Sequence, residues 1–235
     1  MSDARGVIRL ERVSVEVGGA RILQDVSVEL PQRRIAVIGA NGSGKSTFAR
    51  VLDGLVAPTS GVVSVHGIDV VREPKRLREA VGFVFTDPDA QILMPTPAED
   101  VALSLKGSGL SRGEVAAAVA RELERHGLDA HADQPAYSLS GGQKQLLALV
   151  SVLIRRPRLI IADEPTTLLD LGNARRIADI LIDEVVAQTV IVTHDLELAA
   201  RCDIALRFAH GRLIEVGEPD GVIARYRAEF AGERA

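Results

Sequence analysis

Ile35-Ala-Val-Ile-Gly39-Ala-Asn-Gly-Ser-Gly-Lys45-Ser46-Thr47 sets a run of apolar residues against a glycine-rich turn that ends in a lysine and two hydroxyls. A short, wholly apolar run is what a strand needs when both faces of its sheet are covered. Gly39, Gly42 and Gly44 let the backbone curl with its N–H groups pointing inward, and a helix opening at Lys45 adds the positive end of its dipole. The segment Gly39, Ala40, Asn41, Gly42, Ser43, Gly44, Lys45, Ser46 therefore matches the phosphate-loop pattern in the setting that pattern requires. Lys45 is placed to neutralise the outer phosphates of a nucleotide, and the Ser46 hydroxyl to bind Mg2+.

Upstream of this stretch, Val13, Val15 and Val17 alternate with polar residues before Gly18-Gly19 turns the chain into Val26, Val28 and Leu30. That is an antiparallel hairpin at a sheet edge. Downstream, short apolar runs at Val81–Phe85, Leu159–Ala162, Val190–Val192 and Ile204–Phe208 read as further strands. Helical patterns alternate with them. One covers Lys45–Leu55, and Ser111 with Glu114 makes a capping box for another that ends near Gly127. Gly142–Arg155 is stopped by Pro157, Gly172–Val186 carries apolar residues at helical spacing, and the tail from Asp220 forms a last helix. Strands alternating with helices predict an α/β fold with parallel strands. Residues 88–155 hold no convincing strand, so a helical subdomain is inserted into a single domain spanning 1–235.

Composition narrows the classes. Hydrophobic residues make up 46% of the 235, enough for a real core, and 28 Lys and Arg against 32 Asp and Glu leave a net charge of −4. No basic footprint for nucleic acid is present, so no nucleic-acid partner is expected. The longest nearly unbroken apolar run, Leu146–Ile154, would span about 14 Å as a helix against ~30 Å for a bilayer core. The N-terminus has no apolar run behind its charges and does not read as a signal peptide. A single cysteine, Cys202, excludes an intrachain disulfide. His66, His126, His131 and His210 lack ligand spacing, so no structural zinc is expected. The run Arg72–Arg78 reads as a solvated helix face.

Three further segments carry chemistry. Arg158-Leu-Ile-Ile-Ala-Asp163-Glu164 is an apolar strand ending in two acids. Asp163 beside the phosphate loop is suited to hold Mg2+, and Glu164 to polarise an attacking water as general base. Leu139-Ser140-Gly141-Gly142-Gln143 opens a helix with small residues, a second anion-binding terminus. The chain has two such termini but only one lysine-bearing loop, so one nucleotide bridging two copies would use both. His194, after the strand Val190–Val192, lies at the carboxyl edge where the ligands of such sheets collect.

Together these residues resemble the ATP-binding subunits of ABC transporters over nearly the whole chain. Leu-Ser-Gly-Gly-Gln is similar to that family's signature sequence, and Asp163-Glu164-Pro165, Leu169-Asp170 and Thr193-His194-Asp195 follow in the family's order. The resemblance implies the fold of a phosphate-loop NTPase with a mixed sheet, an antiparallel N-terminal β subdomain and an inserted helical subdomain. It also implies that Gly39–Thr47 bind ATP and Mg2+, that Asp163 holds the metal, that Glu164 is the catalytic base and that His194 touches the γ-phosphate. Ser140, Gly141, Gly142 and Gln143 would close on ATP held by the other subunit of a homodimer, with Asp170 communicating across it. Pro88-Asp-Ala-Gln91 is similar to the energy-coupling factor transporters for vitamins and transition-metal ions. Thr86–Ile92 followed by Met94-Pro-Thr96 resembles most closely the biotin-uptake ATPases. The implied setting is the cytoplasmic face of the cell membrane, as a peripheral subunit beside a transmembrane coupling subunit and a substrate-binding membrane subunit.

Two departures stand out. The family usually has Gln at Thr86, reaching Mg2+ or the attacking water; either the Thr86 hydroxyl on its shorter arm or Gln91 takes that place. An adenine-stacking aromatic is also missing, the candidate positions being Val15 and Val17. Rival readings are a cobalt or nickel importer, a soluble ABC protein without a membrane partner, and a phosphate-loop kinase. The soluble proteins typically carry two cassettes or long coiled-coil insertions, and a kinase would lack Ser140–Gln143.

Overall fold

The computed structural model describes residues 6–231. Strands β1 (Ile8–Val17) and β2 (Ala20–Leu30) pair antiparallel across Gly18-Gly19. With β4 (Ser60–Val65) and β5 (Ile68–Asp69) they form a four-stranded antiparallel sheet in the order β2-β1-β4-β5. A second, six-stranded sheet runs β10 (Arg212–Gly217), β9 (Ile204–Ala209), β3 (Arg34–Gly39), β8 (Gln188–Val192), β7 (Leu159–Asp163), β6 (Val81–Val84). All its pairs are parallel except β10 with β9. The α/β fold with an antiparallel N-terminal sheet and a mixed central sheet is thus the one observed.

Period-two alternation distributes the core over both faces of the central sheet. Ile35, Val37, Leu159, Ile161, Val190 and Val192 pack against the four-stranded sheet and helix α1 (Lys45–Leu52). Ala36, Ile38, Ile160, Ala162 and Ile191 face the opposite layer, with α5 (Gly141–Leu153) and α6 (Leu171–Asp179). A strand covered on both sides has no solvated face for a polar side chain, which is why these runs are unbroken.

Between β6 and β7 no strand occurs among the described residues. The chain passes through a 3-10 turn at Pro88–Ala90, α3 (Pro97–Leu103), α4 (Arg112–Arg125) and α5. The Ser111–Glu114 capping box opens α4 as the sequence indicates. Boundaries differ elsewhere. Helix α1 stops at Leu52, where Asp53 caps it, and not at Leu55. The segment read as one helix over Gly172–Val186 is α6 followed by a π-helical turn at Ile180–Glu184. Helix α2 (Pro74–Ala80) covers most of the run Arg72–Arg78 read as a helix face, with Lys75, Arg76 and Arg78 exposed. Helix α7 (Leu196–Ala200) and strands β4, β5 and β10 carry patterns too short to stand out, and α8 (Pro219–Ala231) closes the described chain. No helix among the described residues is long and apolar enough to cross a membrane.

Candidate active site

β3, β8 and β7 lie side by side and parallel, so their carboxyl ends bring Gly39, Thr193-His194 and Asp163-Glu164 to one edge. Gly39 must be glycine: a Cβ there would sit 2.2 Å from the Phe208 carbonyl oxygen of β9. The loop after it is braced by the β9–β10 turn, where Gly211 N–H donates to the Ser43 carbonyl (3.0 Å). Ala40, Asn41 and Gly42 are exposed, and Thr47 lies in the first turn of α1. The N–H groups of that first turn have no acceptor within the helix and remain available to an anion.

Lys45 is buried and folds back over the loop, donating from Nζ to the carbonyls of Gly39 (2.8 Å) and Ala40 (3.0 Å). Burial lowers the pKa of its ammonium, while Glu164 and Asp163 oppose the shift. Ser46 Oγ donates to Asp163 Oδ1 at 3.0 Å, tying the phosphate loop to the end of β7. Burial raises the Asp163 carboxyl's pKa. A paired hydroxyl and carboxylate are hard oxygen donors of the kind Mg2+ takes, and the desolvated carboxylate gains from a cation. The residues present therefore fit that ion.

Glu164 leaves β7 with φ of 53°, in the left-handed region that few glutamates adopt. Its N–H donates to the Val192 carbonyl (2.9 Å), so the turn aims the side chain across the end of β8. There Oε2 meets His194 Nδ1 at 2.6 Å and accepts from Thr167 Oγ1 at 3.2 Å. The sequence placed Glu164 and His194 at one edge; it gave no sign that they are in contact. Thr86 also reaches this corner, donating from Oγ1 to the Asp163 carbonyl at 2.8 Å. Gln91 does not. Its Oε1 accepts from Phe85 N–H (3.1 Å) and its Nε2 donates to the Ala148 carbonyl (3.0 Å), so both ends of the amide hold the loop in place. Of the two residues offered for the missing glutamine, Thr86 is the one at the site.

The Ser140 segment stands apart from this cluster. Ser140 caps α5 and is exposed, its Oγ accepting from Gln143 N–H (3.3 Å) while Gln143 Oε1 accepts from Ser140 N–H (2.8 Å). Among the described residues no hydrogen bond or ion pair joins Ser140–Gln143 to Lys45, Ser46, Asp163 or Glu164. Gly142 packs against Asn173, which donates from Nδ2 to Asp170 Oδ2 (2.6 Å), and Asp170 caps α6. Val15 is corrected as an adenine-facing candidate: it is 1% exposed and belongs to the core, whereas Val17 is 61% exposed. A cavity of about 1210 Å3 lies at the amino ends of β7 and β8, and none of Gly39–Thr47, Ser140–Gln143, Asp163, Glu164, Asp170 or His194 lines it.

The sequence profile of the ABC transporter family matches residues 23–167. The chain belongs to that family. It is 43% identical over 220 residues to the biotin transport ATP-binding protein BioM of Rhizobium etli, covering 94% of this chain and 97% of the relative. It is 37% identical over 225 residues to the energy-coupling factor transporter ATP-binding protein EcfA1 of Lacticaseibacillus paracasei, covering 93% and 81%. Among solved structures, a dimeric ATP-binding cassette in a post-hydrolysis state with ADP and Pi superposes with a TM-score of 0.78 at 25% identity, covering 90% of this chain and 98% of that one. The ABC subunit is accordingly an ATP hydrolase serving a transporter.

Proposed function

We propose that two copies of the ABC subunit pair with two ATP molecules between them, each gripped by Gly39–Thr47 of one protomer and Ser140–Gln143 of the other. The observation that carries this reading is the separation just described. Lys45, Ser46, Asp163 and Glu164 converge, while an exposed, capped helix terminus of the same chemistry stands apart from them on the same protomer. Within such a site Lys45 would exchange its two carbonyl partners for phosphate oxygens. Ser46 and Asp163 would hold Mg2+, which screens the charge of the phosphates. Glu164, steered by His194 and Thr167, would accept the proton of the attacking water, with His194 turned toward the γ-phosphate. Asp170 would lie at the junction between the copies.

The same reading extends to an energy-coupling factor importer that takes up a vitamin, with biotin as the substrate, in keeping with the likeness to BioM over nearly the full length of both chains. A cleft of about 270 Å3 beside Gln91, lined by Phe83, Phe85, Leu93 and Arg155, would receive the transmembrane coupling subunit. A separate membrane subunit would bind the vitamin. On this reading the chain is a peripheral protein on the cytoplasmic face of the membrane. Purified E164Q, able to bind ATP but slow to hydrolyse it, should run as a dimer with ATP and Mg2+ and as a monomer without; a monomer under saturating ATP would remove the composite site. Biotin uptake by cells carrying the membrane subunits should depend on this chain, and uptake of a metal ion in its place would redirect the substrate.

A further inference from the structure

His131 lies twelve residues ahead of Gln143, outside every motif, on the 3-10 turn Asp129–His131. That turn is pinned to the start of α3, where Ala98 N–H donates to the Ala132 carbonyl at 2.9 Å. Its imidazole Nε2 stands 2.9 Å from Gln143 Nε2. Two facing nitrogens bond only if one of them lacks a proton, and the surrounding partners decide which. A backbone N–H only donates, so the 2.8 Å bond from Ser140 N fixes Gln143 Oε1 as acceptor and its Nε2 as donor. His131 Nε2 must therefore offer a lone pair. The proton then resides on Nδ1, which meets Gln134 Oε1 at 2.9 Å, and Gln134 Nε2 donates to the Ala130 carbonyl at 3.1 Å. The tautomer is assigned by the network, which ends on a backbone group at each side.

We propose that His131 is a positioning residue of the composite site: as the neutral, Nδ1-protonated imidazole it holds the Gln143 amide, and through it the Ser140 end of α5, ready for the triphosphate of the other copy. The inference rests on the two-copy reading of Ser140–Gln143. Of the two bonds in the capping box, the one Ser140 Oγ accepts from Gln143 N–H is long (3.3 Å) and the one Gln143 Oε1 accepts from Ser140 N–H is short (2.8 Å). The Gln143 side chain is thus the main hold on the helix terminus, and His131 is what keeps it from swinging away.

The test has two arms. In the 15N spectrum of histidine-labelled protein, His131 should show a protonated Nδ1 and a bare Nε2; the opposite tautomer overturns the relay directly. In the E164Q background, H131L should raise the ATP concentration for half-maximal dimerisation by roughly 2- to 12-fold, the size of one hydrogen bond. H131Q, whose terminal oxygen can accept at similar reach, should restore it to within about twofold. An unmoved midpoint in folded H131L, or failure of H131Q to restore it, overturns the positioning role. Should H131L not fold, H131Q and the tautomer decide. No ATP-driven dimer in the E164Q parent would instead strike at the two-copy reading itself, a result the two His131 variants cannot produce.

Discussion

Asp53 at the C-terminal cap of α1 is a carboxyl held against its preference. Burial raises its pKa from 3.8 to about 6, and Arg155 and Arg78 oppose the shift only in part. It also faces the negative end of the helix dipole. Because the folded form keeps the proton longer than the unfolded form, stability declines as pH rises through this window, and above it the cost is constant at no more than about 3 kcal/mol. D53N, which stays neutral, should be more stable than the parent, with an advantage that grows by about 1 kcal/mol between about pH 5 and about pH 8. Urea midpoints at the two pH values, with unchanged slopes, measure it; parallel behaviour would mean the carboxyl is not desolvated in solution. Residue placements were only partly legible. That Lys45, Ser46, Asp163 and Glu164 gather at one sheet edge was, because a phosphate loop and an acid-tipped strand fix their positions locally. Gln91 was not, because what commits its amide is the carbonyl of Ala148, 57 residues away. Val15 and Val17 share a strand parity, and yet one is core and the other exposed, Val17 being the last residue of β1 beside the Gly18-Gly19 turn.

Among the elements, the contact of α5 with α6 links the two segments proposed to face the other copy. A Cβ on Gly142 would lie 2.3 Å from Asn173 Cγ, and Asn173 is tethered by its bond to Asp170, so it cannot swing aside without breaking that bond. G142A should therefore cost about 1–3 kcal/mol of stability, the usual range for overpacking. N173A in the same chain removes the obstructing amide. The double variant should recover most of the loss, and the pair should show a coupling of at least about 1 kcal/mol in a double-mutant cycle. Additive losses would mean the helices do not meet as described. Elements with chemistry of their own were readable: the capping box at Ser111–Glu114 is there, since it needs only residues three apart, whereas Ser140–Gln143, read only as a helix opening and an anion-binding terminus, proves to be a second box. Short strands such as β5, set by pairing with a neighbour rather than by their own pattern, were not. Nor was the π turn that ends α6, which no local residue announces.

On the scale of the whole molecule, the two-copy reading makes a quantitative demand. K45A would lose the grip of the loop, and a bulky S140F would block the opposing helix terminus; each alone leaves both sites of a symmetric dimer defective. Mixed, they distribute differently. In a K45A/S140F heterodimer one site collects both defects, the weakened loop from one copy and the blocked terminus from the other, while the second site collects neither. Random pairing makes about half of the dimers mixed, and each mixed dimer has one intact site of two, so ATPase activity should return to about a quarter of the parental value if the sites fire independently. The measurement is a titration of one inactive variant into the other at constant total protein, with the maximum at equal amounts. An active monomer would give no recovery at any ratio, because each chain would carry its own defect in its own site. The shape of the curve thus separates a site shared between copies from one enclosed within a single chain, without requiring that the dimer be isolated.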